Sequence, residues 1–95
     1  MTQPIRVGIL GAGRALFMAL CRDAFPDDLV LAGLCDIRKA RAEKAVKKHS
    51  FDRVFPTYEE MLDDKGIDLV VIGTPDHEHA GQAIQALEAG KHVLS

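Results

Sequence analysis

The sequence predicts an α/β fold built on a doubly wound parallel sheet, and three observations predict it. Strand-like apolar runs alternate with helix-like segments along the whole chain; a glycine turn, Gly11-Ala12-Gly13, joins the first run to the first helix; and the second run ends in an acid, Asp36. Alternation of this kind sets parallel strands side by side with right-handed crossovers, in the expected order 3-2-1-4-5. That order puts a topological switch point between the first and fourth strands, where open α/β sheets bind ligands at strand carboxyl ends.

Each element follows from local sequence. Ile5–Leu10 is the first strand. A helix is expected over 14–24, and Ala15-Leu16-Phe17-Met18-Ala19-Leu20-Cys21 is apolar on nearly all sides, which predicts deep burial. Pro26-Asp27-Asp28 breaks the chain before the second strand, Leu29–Cys35. The second helix is expected over 38–48, with Ala42, Ala45, Val46 and His49 on one face and lysines and arginines elsewhere. A short third strand is expected around 53–55. Thr57 and Glu60 have capping-box spacing, each satisfying the other's orphan amide, and Asp63-Asp64 marks the helix end and turn before Gly66. The fourth strand, over 67–72, is the continuous apolar run of a parallel strand buried on both faces. Thr74 caps and Pro75 opens the last helix. Its core face is read as Ala80, Ala83, Ile84 and Leu87, and Gly90 ends it. His92-Val93-Leu94 starts a fifth strand, so the sheet is incomplete at its C-terminal end.

Composition narrows the function. The 95 residues form one domain or less, with 47% apolar residues to fill a core and a net charge of −2. That balance gives no general attraction to nucleic acid or to membranes. No apolar run approaches the ~20 residues of a membrane span, and the N-terminus lacks a signal-peptide pattern, so a cytoplasmic protein is expected. Cys21 and Cys35 read as buried free thiols. His77 and His79, two residues apart on a helix, point about 200° away from each other, so no metal site is assigned.

The glycine turn and Asp36 carry the chemistry. Gly11 allows a sharp turn, Ala12 lies within it, and Gly13 lets the backbone approach a pyrophosphate with no Cβ in the way. The amides opening the next helix then face phosphate charge. Asp36, about 20 residues on at the end of the second strand, can accept both ribose hydroxyls. The fingerprint departs from its pattern at Leu16, where a third glycine or alanine is usual; Ala15 can take part of that role. Asp36 favours NAD, because a carboxylate repels a 2′-phosphate. Arg38, just after it, is either a partner for that phosphate, which would admit NADP, or part of the solvated face of the second helix. Arg14 either lies against the pyrophosphate or faces solvent.

The segments Val7-Gly8-Ile9-Leu10-Gly11-Ala12-Gly13, Leu34-Cys35-Asp36-Ile37-Arg38, Ile72-Gly73-Thr74-Pro75 and Ala86-Leu87-Glu88-Ala89-Gly90-Lys91-His92-Val93-Leu94 resemble, in order and spacing, the glucose-fructose oxidoreductase / inositol dehydrogenase / rhizopine-catabolism (Gfo/Idh/MocA) family. The resemblance implies a Rossmann domain over 1–95 that binds NAD(H) or NADP(H) in a larger oxidoreductase acting on sugars, polyols and related small molecules. It implies that Thr74 and Pro75 line the ribose and nicotinamide side. His79 matches a family helix histidine, structural or cofactor-proximal. In the family Glu-Lys-Pro comes next, followed by a second domain that holds the substrate and mediates oligomer assembly, so no catalytic residue is carried over to this chain. Two other classes stay open on sequence. One is a non-catalytic dinucleotide sensor of the same fold. The other is a methyltransferase using S-adenosylmethionine, disfavoured because Ile9-Leu10 stands where an acid is usual.

Overall fold

A computed structural model describes residues 3–74 and 76–95. Strands β1 (Ile5–Leu10), β2 (Leu29–Cys35), β3 (Leu69–Ile72) and β4 (His92–Leu94) form one parallel sheet in the order β2-β1-β3-β4. The helices are α1 (Ala15–Ala24), α2 (Lys39–His49), α3 (Tyr58–Asp63) and α4 (Asp76–Glu88). The switch point falls between β1 and β3, as the sequence predicts. The expected third strand shrinks to a single parallel bridge, Val54 to Leu34, at the outer edge of β2. Its flanks are held by side-chain burial instead: Phe51 and Phe55 are buried on either side of the bridge. Counted with that bridge, the order is the expected 3-2-1-4-5.

Strand alternation divides the core between the two faces of the sheet. Val7, Ile9, Leu31 and Val71 meet Ala15, Met18 and Ala19 of α1 and Ala42 of α2. Leu10, Ala32, Val70 and Ile72 meet Phe55, Met61 of α3 and Ala86 of α4. Between Val7 and Gly8 of β1 the register with β2 slips, leaving Ala32 as an extra residue. The slip lets Leu31 and Leu34 share one core cluster while Ala32 and Cys35 share the other.

Several expected details change. The chain turns through a short 3-10 helix, Ala12–Arg14, before α1 begins at Ala15. α1 is buried only along the stripe Ala15, Met18 and Ala19, while Leu16, Phe17 and Leu20 are more than half exposed. The expectation of deep burial fails because a helix laid on a sheet buries one stripe, and among the described residues no element covers the other side. α4 seats itself one residue away from its expected register. Ala86 is fully buried and Ala83 half-buried, whereas Ile84 and Leu87 are 54% and 60% exposed and Ala80 is exposed too. The Tyr58 hydroxyl donates to the Gln82 carbonyl at 2.7 Å, and this tie faces the small residues to the sheet. At α3 only half of the capping box forms: the Glu60 amide donates to Thr57 Oγ1 at 3.1 Å. The strand expected over 67–72 begins at Leu69, and α2 runs one residue later than expected at each end.

Gly81 lies exposed inside α4, with no atom within 4 Å of where a Cβ would stand. Gly81→Ala is therefore expected to raise stability by about 0.5–1 kcal/mol, read as a higher melting temperature by circular dichroism.

Candidate functional site

The carboxyl ends of β1, β2 and β3 share one rim, and close backbone contacts join them. Gly11 follows β1 with φ +100°, a conformation glycine adopts freely. Its amide donates to the Cys35 carbonyl at 2.8 Å, and the Gly73 amide donates to the Leu10 carbonyl at 2.7 Å. A Cβ on Gly11 would stand 2.9 Å from the Gly73 carbonyl group. Two glycine backbones therefore pack against each other at the switch point.

Asp36 ties this turn to the start of α2. Its Oδ2 accepts from the Ala12 amide and its Oδ1 from the Arg38 amide, both at 2.8 Å. The carboxylate is thus fixed by two backbone donors, each oxygen keeping a further lone pair. Gly13 stands exposed beyond the turn, with nothing within 4 Å of where a Cβ would stand and no left-handed φ. No neighbour in the fold requires glycine there.

These residues border a cavity of about 330 Å³ lined by Leu10, Gly11, Ala12, Gly13, Asp36, Ile37, Arg38, Arg41, Gly73, Thr74, Glu78 and Gln82. A larger hollow, about 770 Å³, lies at the amino ends of the strands between Arg6, Lys65 and His92. It is the less suitable site for a dinucleotide, because it lacks the glycine turn and the strand carboxyl ends.

Of the residues picked out by sequence, Gly11, Ala12, Gly13, Asp36, Arg38 and Thr74 come together around the cavity. Three do not line it. Arg14 passes its side-chain stem over Gly73 and borders a small hollow with Phe17, Val71, Ile72 and Leu94. Ala15 is buried at the head of α1. His79 sits behind Thr74, its Nε2–H donating to the Thr74 carbonyl, while Thr74 Oγ1 donates to Gln82 Oε1. Since a carbonyl only accepts, Nε2 is the donor of that contact. Thr74 thus directs its hydroxyl proton at a side chain of α4. Pro75 lies outside the described residues.

The structure adds Leu10, Ile37, Arg41, Glu78 and Gln82 to the cavity lining. Some of these had a sequence signal. Gln82 follows Glu78 by four and so shares its helix face, and Arg41 lies in the first turn of α2, which Arg38 precedes as N-cap. Ile37 is fully exposed beside Asp36, at odds with its apolarity unless something covers it.

Two weak acids lie just behind the cavity. Burial, helped by the charges of Asp36, Glu59 and Glu60, pushes the Cys35 thiol above its ordinary 9.0. Burial, with Cys35 nearby, pushes Tyr58 from 10.0 to about 12. Above its ordinary pKa each group loses its proton in the unfolded chain first. The unfolded state then binds fewer protons, and stability falls as pH rises. The contribution is full below pH 9.0 and lost through about pH 12. The urea midpoint is expected to decline across that window, and Cys35 to resist alkylation at pH 8 until the chain is unfolded.

Sequence comparison decides the family. The profile for the Gfo/Idh/MocA oxidoreductase family, NAD-binding Rossmann fold, matches residues 5–95. The chain belongs to this family. It is a Gfo/Idh/MocA NAD-binding Rossmann domain. Levoglucosan dehydrogenase of Pseudarthrobacter phenanthrenivorans is 34% identical over 103 residues, covering 97% of this chain and 26% of the relative. The alpha-N-acetylgalactosaminidase of Shewanella oneidensis is 32% identical, covering 97% and 22%. Among solved structures, the WlbA dehydrogenase of Chromobacterium violaceum in complex with NADH and UDP-GlcNAcA superposes with a TM-score of 0.88 at 31% identity, covering 98% of this chain and 27% of that one. Levoglucosan dehydrogenase in complex with NADH and L-sorbose gives 0.82 at 30% identity, covering 97% and 27%. The Rossmann domain thus spans about a quarter of the length of these relatives. Among its described residues no helix is long and apolar enough to cross a membrane.

Proposed function

We propose that this domain is the cofactor-binding unit of an NAD-dependent oxidoreductase acting on a sugar, polyol or related small molecule. The observation that carries the reading is the convergence of the Gly11–Gly13 turn, Asp36 and the Gly73-Thr74 segment on one cavity at the switch point. The residues fit the group. Gly13 has room for a phosphate where a Cβ would stand, and Asp36 has lone pairs left for ribose hydroxyls. Exposed Ile37 offers the adenine an apolar surface. Ala15 opens α1 directly after the turn, so the positive end of that helix would favour the pyrophosphate charge, while the Arg14 side chain lies over Gly73, away from the cavity. Thr74, held from behind by His79, would lie on the nicotinamide side. NAD, when bound, supplies the hydride acceptor; this chain supplies binding and orientation.

Substrate held by a further domain, assembly of the parent as a homo-oligomer, and a cytoplasmic setting belong to the same proposal. The free thiols Cys21 and Cys35 suit a reducing compartment. A sugar-class substrate is supported by the relatives named for levoglucosan and by the neighbour bound to a nucleotide-linked sugar acid. Likeness to an alpha-N-acetylgalactosaminidase supports a second reading, in which the cofactor serves glycoside cleavage.

Nicotinamide fluorescence during NADH titration tests the binding reading, with Asp36→Ala as control. Saturable binding lost in the variant is expected; no binding by a folded sample would overturn it. With the parent protein, NADH accumulating at 340 nm with a sugar substrate marks a dehydrogenase. Sugar release without net NADH marks the glycosidase reading.

A further inference from the structure

We infer that Glu78 and Gln82 read the base of the cofactor, so that this domain selects adenine by hydrogen bonds and rejects a purine that lacks the exocyclic amine. Both roles rest on the dinucleotide reading of the cavity. Asp36 fixes where the base must lie. A ribose held by that carboxylate carries its base one bond away, inside the same cavity of about 330 Å³, whose size suits a nucleoside rather than a whole dinucleotide. Ile37, fully exposed beside Asp36, offers an apolar surface to one face of the base. That leaves the edges of the base to be read.

α2 and α4 pack on opposite faces of the sheet, so the polar residues that α4 sends to the cavity reach it from the side away from α2. Thr74, ahead of α4, keeps the nicotinamide side on this reading. Glu78 and Gln82 follow along the helix, one turn apart and on one face. Their chemistry is complementary. The Glu78 carboxylate only accepts; it is half-exposed, with His77 Nε2 3.9 Å away. Gln82 takes the Thr74 hydroxyl proton on Oε1 and the Tyr58 hydroxyl proton on its main-chain carbonyl, which leaves the two Nε2–H donors for a ligand. The Tyr58 tie also holds the main chain of Gln82 in place. An acceptor beside a donor matches adenine, whose exocyclic amine donates next to a ring nitrogen that accepts. Hypoxanthine puts a carbonyl oxygen where the amine was. That oxygen would meet the Glu78 carboxylate with no proton between them.

The test compares NADH with its deamino analogue, in which hypoxanthine replaces adenine, by nicotinamide fluorescence on the chain itself. Wild type is expected to bind NADH at least about tenfold more tightly, the effect of losing one hydrogen bond to a charged group. Glu78→Gln keeps the shape of the side chain but can donate as well as accept, so the preference should shrink to within about threefold. Gln82→Met, which lacks the donors, should weaken NADH about threefold or more. A circular-dichroism melt checks that both variants fold, and Asp36→Ala, which removes the ribose contact, should lose both coenzymes alike. Displacement of NADH by AMP more tightly than by IMP supports the same assignment. Equal affinities for the two coenzymes in wild type, an unchanged preference in Glu78→Gln, or full NADH affinity in Gln82→Met would overturn the inference and leave the dinucleotide reading intact. Binding of neither coenzyme by the folded chain would overturn both.

Discussion

Gly33→Ala is expected to lower stability by about 2–4 kcal/mol, and Gly33→Val to leave little folded protein. The reason is steric. A Cβ on Gly33 would overlap Cε2 of the Phe55 ring and stand 2.5 Å from its Cδ2. That ring is 2% exposed, enclosed with Cys35, Met61 and Val70, so it has no free space to swing into. Either the ring leaves its seat and its burial is lost, or β2 shifts against the sheet. Domains of this size hold only about 5–14 kcal/mol in all, so the loss is a large share of the total. It also undoes the Val54 bridge, which lies next to Phe55 and closes the outer edge of β2. Urea denaturation reads the effect, and a smaller ring-side residue checks its cause. Phe55→Leu should recover part of the loss in the Gly33→Ala background while destabilising the wild-type chain. A Gly33→Ala midpoint equal to wild type would show that the Phe55 seat is not a fixed element of the core.

Gly11→Ala is expected to abolish NADH binding and to cost about 1–3 kcal/mol of stability in addition. Two strains combine here. The φ of +100° disfavours any side chain, and the new Cβ meets the Gly73 carbonyl at 2.9 Å. Because the obstacle is backbone, no rotamer change relieves it. The chain must instead move apart where the Gly73 amide pairs with the Leu10 carbonyl, and that contact holds the cavity's two walls together. Gly73→Ala is a useful contrast. There the new Cβ overlaps Arg14 Cγ, which a χ1 rotation of that exposed side chain can move, and stands 3.3 Å from Arg14 Cβ and 3.4 Å from the Gly11 carbonyl oxygen, so the strain is smaller than at Gly11. Titration of both variants with NADH should show binding lost in Gly11→Ala and largely kept in Gly73→Ala. Wild-type affinity in Gly11→Ala would refute the account of the switch-point packing.

How much of this was legible in the sequence depended on whether the governing interaction was local. The strands Ile5–Leu10 and Leu29–Cys35 matched to the residue, because unbroken apolar runs bounded by glycine, proline or acid leave few alternatives. The convergence of Gly11, Gly13, Asp36 and Thr74 on one cavity followed from topology, since strand order brings the carboxyl ends together. Non-local contacts were not readable in the same way. The Phe55 seat depends on a glycine in a different element, so the segment around it looked like a strand and forms only one bridge. The rotation of α4 depends on the Tyr58–Gln82 tie, and apolar periodicity alone selected Ile84 and Leu87 for the core. α1 was apolar all round, which shows how much surface seeks cover but not what covers it. The double amide bond to Asp36 was likewise invisible, although the residue itself was the plainest signal in the chain.

The most direct test of the central claim is NADH titration of Gly13→Ala beside wild type. Nothing in the fold lies within 4 Å of the added Cβ, and the backbone there is open to any residue. The variant is therefore expected to melt within about 0.5 kcal/mol of wild type. Its NADH affinity should fall at least about tenfold, because the new methyl occupies the place of the pyrophosphate. A folded variant with unchanged NADH affinity would contradict the account, since the cofactor would then not pass over Gly13.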